Sequence, residues 1–417
     1  MKRTADIYRG GLVLLAGFIF VKAGGFLFKL ICMGALPVEA YGEVAVFFVL
    51  FNWFVLFATL NAAIGLAKFV SHDQGRKGLY GSSAVLGSLI MSAAVSAVLL
   101  AASPSIAAAL NIQVSTVLWA VAATPLAAAY NMGIFHLRGA YRMGSSTAAD
   151  LLLTAARIGA LAALLYAGLA YAPFLAFAIS FIAADVYMFS RNGLLKNYGI
   201  GRMLSAYRKI AAYSVPIFIA ELLSLVSEEA DRLIISGFYS AAEAGVFDVA
   251  ASLCLGYLII ANSYSNALLP LASSHEHHGP SRRSSLRKAL KASVLLFAAY
   301  SVLLLVAGRP LIGLINPSYD VIFGFLYVLA PAYAMAGMLA ILLIYMNSVG
   351  RQWHAVFSGA VFAFLNLAIN LYLVPSILYW GAVLALLFSS AAALAVAAIL
   401  IWKVEKCETK PCSSQHH

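Results

Sequence analysis

Residues 217–239 read IFIAELLSLVSEEADRLIISGFY, a segment apolar enough to enter a bilayer that nonetheless holds Glu221, Glu228, Glu229, Asp231 and Arg232. The chain around it decides that this is a membrane helix, and its charges then need a partner other than lipid. Hydrophobic residues make up 63% of the 417 and charged residues only 10%, against about 25% charged in an ordinary soluble domain. Mean hydropathy is +0.92. Apolar runs of about 20 residues, enough to cross roughly 30 Å of hydrocarbon, recur along the whole length.

Twelve spans are expected, near 10–33, 41–67, 79–102, 114–136, 146–169, 172–190, 210–236, 243–271, 288–308, 321–346, 354–374 and 378–402. Charge tests that count, because cytoplasmic loops collect Lys and Arg. Alternate loops are basic: Lys68, Arg76 and Lys77; Arg138 and Arg142; the stretch 191–209; the stretch 282–291. Arg351, the N-terminal Lys2, Arg3 and Arg9, and the C-terminal Lys403, Lys406 and Lys410 join that side, leaving Arg309 alone opposite. Both termini are therefore expected in the cytoplasm, and the protein in an inner or plasma membrane. The first apolar segment is too long for a signal-peptide core and is expected to remain as a helix.

The net charge of +11 sits in short loops facing anionic headgroups, so no nucleic-acid partner is expected. Cys32, Cys254, Cys407 and Cys412 have neither metal-ligand nor redox spacing. His275 to His278, reading HEHH with Glu276, does not match a helical HExxH. No cofactor is expected, and without a P-loop the chain does not hydrolyse ATP.

A shift of 203 residues superposes Gly34 on Gly237, Gly42 on Gly245, Val46 on Val249, Leu50 on Leu253 and Ser71-His72 on Ser274-His275, with Lys29 landing on Arg232. This weak internal repeat has six spans per half, so both halves enter the membrane in the same sense, with a substrate path between them. The expected lobes are 1–203 and 204–417, joined by the basic stretch 190–209.

A charge at the bilayer centre costs about 2.5–3.5 kcal/mol on insertion scales, so such residues face a partner or a wet cavity. Glu221, Glu228 and Arg232 share one helix face by their spacing of seven and four, and Glu228 with Arg232 is a natural ion pair. For Asp231 and Arg232 the competing reading is that they lock helices together. Glu221, near mid-depth with no basic residue at i±4, can take up a proton or bind Na⁺. Lys22 and Lys29, seven apart on the first helix, and Arg157, on one face with Asp150 in the fifth, are candidate phosphate ligands. The planar Arg fork can hold two phosphate oxygens, although a structural salt bridge is the competing role. Asn366 and Asn370 form a polar stripe suited to helix packing or sugar contact.

These segments resemble a known family. The Asn-rich "LNLAINLYLVPSILYWGAVLALLFS" (365–389), "YSVPIFIAELLSLVSEEADRLIISGFYSAAEAGVFDVA" (213–250) and "YGEVAVFFVLFNWFVLFATLNAAIGLAKFVS" (41–71) are similar to polysaccharide biosynthesis flippases. These form the lipid-linked oligosaccharide branch of the multidrug/oligosaccharidyl-lipid/polysaccharide (MOP) exporter superfamily. The resemblance implies an all-α membrane protein with two six-helix lobes in a V, working by alternating access. Its implied cargo is a polyprenyl-pyrophosphate-linked sugar, with membrane lipids and other glycan-assembly proteins as partners. Lys22, Arg157 and Lys29 would meet the pyrophosphate, and Glu221, Glu228, Asp231 and Arg232 would couple or gate with H⁺ or Na⁺.

The multidrug branch commonly has an acidic residue in the first helix, where this chain has lysines. A major-facilitator permease is the rival twelve-helix fold, but in "GLAKFVSHDQGRKG" (65–78) Gly75 falls one position too early for its loop motif. A membrane-embedded glycan polymerase or ligase needs a chemically equipped outer loop, and those around 103–114 and 309–320 are short.

Overall fold

An apolar segment in a bilayer finds no water for its N–H and C=O groups, so it closes its own hydrogen bonds as helix. The computed structural model describes residues 2–192, 198–273 and 279–408; the HEHH stretch and Cys412 lie outside them. Among the described residues there are thirteen α-helices and no strand. They are α1 (Lys2–Ala35), α2 (Val38–Thr59), α3 (Ala62–His72), α4 (Lys77–Ala109), α5 (Val114–Gly139), α6 (Met143–Tyr166) and α7 (Ala172–Asn192), followed by α8 (Ile200–Phe238), α9 (Ala241–Ser273), α10 (Gly279–Ile315), α11 (Phe323–Ser348), α12 (Gln352–Ile377) and α13 (Tyr379–Glu408).

Among the described residues eleven helical segments, α2 and α4 to α13, are long and apolar enough to span a membrane. With α1 over the first expected span, the helices follow the twelve-span pattern, except in the second. There the expected 41–67 run breaks at Leu60 and Asn61, both left-handed with φ of 47° and 52°. The Leu60 N–H still closes onto the Leu56 carbonyl at 2.9 Å. Asn tolerates this backbone and Leu does so at a cost of roughly 1–2 kcal/mol. Neither residue is a Gly or Pro, so hydropathy passes over the break.

The chain divides into two compact units: Met1–Leu222 with Ser240–Gly245, and Leu223–Tyr239 with Val246–His417. α8 therefore contributes its first part to one unit and its last part to the other. In the first unit Phe47 and Phe51 of α2 pack edge-on to Phe177 of α7 at 5.3 and 4.7 Å between ring centroids. A second cluster joins Leu66 and Val70 of α3, Val85 of α4, Met132 of α5 and Ile210 of α8. The glycines the repeat superposes also meet here: a Cβ on Gly245 would lie 2.7 Å from the Gly42 Cα. Only glycine permits that approach.

The same unit ties α2 to α5 through Glu43, whose carboxylate accepts from the Gln113 N–H at 3.0 Å and the Thr116 hydroxyl at 2.5 Å. An acidic group at a helix N-terminus satisfies orphan donors and faces the positive end of the dipole. Glu43→Ala is therefore expected to lower the stability of the purified protein by about 1 kcal/mol. A thermal-unfolding midpoint unchanged from wild type would contradict that.

In the second unit Tyr257 of α9 is fully buried between Phe297 and Tyr300 of α10, at 5.5 and 5.0 Å. Its hydroxyl shares a 2.6 Å hydrogen bond with Ser301, and Tyr300 donates to the Leu253 carbonyl at 2.5 Å. Arg309, the one basic residue assigned to the outer side, is held by Asp320 through two hydrogen bonds of 2.9 and 2.7 Å.

Candidate functional site

In the first unit two glycines bring α1 close to α6. Gly17 and Gly24 let α1 lie against Thr147 and Thr154 of α6. Lys22 and Lys29 lie roughly 140–160° round the helix from Gly24 at 3.6 residues per turn, so they share a face as their spacing predicts. That face is turned away from α6. Lys22 is exposed, and the Lys29 ammonium stands 5.8 Å from the centre of the half-buried Phe48 ring.

Arg157 is drawn instead to α7. Its guanidinium carbon sits 4.2 Å over Phe177 and 5.5 Å from Phe181, while Nε donates to the Ser180 hydroxyl at 3.3 Å. Phe48 and Phe177 are themselves 5.2 Å apart. Lys29 and Arg157 thus stand at the two ends of one aromatic ladder. Each cation gains about 0.5–2 kcal/mol from a ring face, which supplies attraction without a counter-charge.

Asp150 does not serve Arg157. It accepts from the Tyr130 hydroxyl at 2.5 Å and forms a 3.1 Å ion pair with Arg138, which also donates from Nε to Ser146 at 3.1 Å. Arg138, read from the sequence as a loop cation, is the last-turn residue of α5 that pins α6. Among the described residues Arg157 has no acidic partner, so its NH1 and NH2 donors remain available to an anion.

The second unit holds the polar residues of the lower part of α8. Arg232 Nε lies 2.7 Å from Asp248 Oδ1 of α9, both side chains buried. The N–H direction falls outside hydrogen-bond geometry there, so the attraction is chiefly Coulombic. Arg232 NH1 donates to the Glu228 carbonyl at 2.9 Å. The sequence pairing of Arg232 with the Glu228 side chain overlooked Asp248 in the next helix; the Glu228 side chain is exposed. Asp231, 1% exposed, lies 3.5 Å from Asn370 Nδ2, which also donates to the Asn366 carbonyl and side-chain oxygens at 3.0 Å each. Asn366 reaches Ser389 of α13 at 3.5 Å. Both asparagines are fully buried and link α8, α12 and α13.

Chemically, this cluster sets two carboxylates, Asp231 and Asp248, beside one guanidinium, Arg232. With all three ionised the trio carries a net negative charge. A proton or a hard cation bound by oxygen ligands neutralises it. Asn370 Oδ1 is buried and without a donor among the described residues, which adds an oxygen of the right kind. Glu221 belongs to the first unit's part of α8 and is exposed, with no partner among the described residues. No group of three or more His, Cys, Asp or Glu poised for a metal exists among the described residues.

Sequence reasoning missed Asp248, Tyr130 and Asp185. A charge census within the expected spans would have found the two aspartates; Tyr130 offers no such signal.

A family model described as "Polysaccharide biosynthesis protein" matches residues 35–318. No curated protein sequence matches the chain significantly. Among solved structures, an inward-facing multidrug resistance MATE family transporter of the MOP superfamily superposes with a TM-score of 0.75 at 13% identity, covering 96% of this chain and 99% of that one. The lipid II flippase MurJ in an inward closed conformation superposes with a TM-score of 0.77 at 13% identity, covering 94% and 87%. The MATE multidrug transporter DinF-BH gives 0.64 at 15% identity, covering 94% and 95%. At these identities the likeness establishes the fold, the twelve-helix arrangement of the MOP superfamily.

Proposed function

Because the chain belongs to the polysaccharide biosynthesis protein family, we propose that it is a flippase moving a polyprenyl-pyrophosphate-linked oligosaccharide from the cytoplasmic to the outer leaflet. Lobes 1–203 and 204–417 alternate access to the cargo, both termini are cytoplasmic, and H⁺ or Na⁺ drives the cycle. The coarser reading, a multi-pass membrane transporter or flippase of the MOP type, is supported by the family model together with the fold likeness and the apolar helices.

The observation that carries the finer reading is Arg157. Its guanidinium is steadied by two aromatic rings and one hydroxyl, with no carboxylate to consume its charge among the described residues. A bidentate donor held in that way suits a pyrophosphate. Lys29, at the other end of the aromatic ladder, and Lys22, exposed on the same α1 face, supply further positive charge. Likeness to a lipid II flippase supports a lipid-linked cargo.

The test is a proteoliposome carrying a fluorescent polyprenyl-pyrophosphate sugar, to which a membrane-impermeant quencher is added under an imposed ion gradient. Protein-dependent loss of the protected fraction is expected. Persistent protection, with the protein folded, favours the second reading suggested by likeness to the MATE transporters, an ion-coupled exporter of small solutes or drugs.

Coupling is assigned to Glu221 and to the Asp231 cluster with Glu228 and Arg232. Asp231→Asn and Glu221→Gln are expected to flatten the response of initial flipping rate to the ion gradient, in which each tenfold step is worth about 1.4 kcal/mol per ion. Wild-type gradient response in both variants would make these carboxylates structural.

A further inference from the structure

α7 turns one face inward. Phe177, Phe181, Ala184, Asp185 and Met188 recur at helical spacing and are each less than a tenth exposed. Four of them are apolar and lodged against neighbours: Phe181 lies 5.8 Å from Phe51 of α2 and 5.5 Å from Tyr130 of α5. The Met188 sulfur and methyl lie 3.0 Å from where a Cβ on Gly133 of α5 would stand. The fifth is a carboxylate. Asp185 is 8% exposed, and its Oδ1 is buried with no donor among the described residues.

The charged and titratable groups on the packed elements are engaged elsewhere or out of register. On α5 the Tyr130 hydroxyl and Arg138 both serve Asp150. His136, buried on the same helix, lies beyond the Gly133–Met188 contact, whereas Asp185 falls between that contact and the Tyr130–Phe181 contact. On α6 the titratable groups are Asp150, already satisfied, Arg157, whose Nε is on Ser180, and Tyr166, fully exposed at the end of the helix. The stretch of α2 facing α7, residues 47–54, carries no ionisable side chain. An ionised carboxylate enclosed in this way gives up several kcal/mol of hydration with no ion partner or hydrogen bond in return. A protonated one is merely a small polar group.

We propose that Asp185 is a proton-binding site in the first unit. It holds a proton in the conformation described and releases it to water when the α5–α7 face is wetted during transport. The O–H bond breaks heterolytically, the proton leaves on water and the electron pair stays on the carboxylate, so no redox partner is involved. About two helical turns separate Asp185 from the end of α7, a short path for that water. The site is separate from Asp231, which belongs to the other unit and has Arg232 as its cation neighbour. The coupling role rests on the transporter reading above; the protonation itself does not.

Two measurements on the full chain in proteoliposomes separate these. Infrared spectra at pH 7 should contain a protonated-carboxyl C=O band in wild type that is lost in Asp185→Asn and returns, shifted, in Asp185→Glu. Identical spectra for wild type and Asp185→Asn in that region would overturn the site. Flipping rates with and without a pH gradient then test coupling. One pH unit can stimulate wild type by up to about tenfold, and in Asp185→Asn the ratio should fall to one. A variant that keeps the wild-type ratio overturns the coupling role. If neither protein moves lipid-linked sugar, the proposed function fails while the infrared result still decides whether Asp185 is protonated.

Discussion

Arg157→Ala is expected to slow flipping of a pyrophosphate-linked lipid by roughly a hundredfold, the effect of removing about 3 kcal/mol from a charge pair sheltered from bulk water. Membrane abundance should stay near wild type. The side chain contributes to folding through ring contacts and one hydrogen bond, together about 1–3 kcal/mol, and Ser180 keeps its own bond to the Phe177 carbonyl at 2.6 Å. Arg157→Lys should recover only part of the loss, because an ammonium cannot hold two phosphate oxygens as a planar fork does. Lys22→Ala, removing an exposed cation, should cost about tenfold, one step of 1.4 kcal/mol. Initial rates in the quencher assay, normalised to reconstituted protein, provide the measurement. Wild-type rates in both variants would remove these cations from the cargo path.

The second large effect concerns stability. Arg232→Ala leaves Asp248 and Asp231 buried without their cation and should destabilise the protein by about 3–5 kcal/mol. Asp248→Ala should cost a similar amount by stranding the guanidinium. The double variant Arg232→Met/Asp248→Leu should recover most of the loss, since replacing a buried ion pair by apolar groups of similar volume is often neutral. Thermal unfolding of the purified variants distinguishes this from a weak pair. If either single variant melts with wild type, the 2.7 Å contact contributes little. Full stability in the double variant combined with lost gradient response would assign the pair to transport rather than to folding.

Much of the architecture was legible in advance because a bilayer restricts the options. Every apolar run must become helix, and loop charge alternates with each crossing. The break at Leu60 and Asn61 escaped that logic, since hydropathy measures transfer into lipid and says nothing about φ. The superposition of Gly42 on Gly245 was visible as a sparse repeat, but their backbone contact was not.

For the charged residues, periodicity placed Lys22 with Lys29 and Asn366 with Asn370 on common faces, because spacing along one helix is a local property. Partners across helices were not available from spacing. Asp150 satisfies Arg138 and Tyr130, Arg157 is taken by the α7 aromatics, Arg232 finds Asp248, and Asp185 finds no donor among the described residues. By itself, then, the sequence determined that the chain crosses a membrane many times as helix, because the free energy of burying an unsatisfied peptide group leaves no alternative. Which charge meets which was decided only by tertiary structure, because ion pairing falls off within a few ångströms and depends on the rotation and register of helices far apart in the chain.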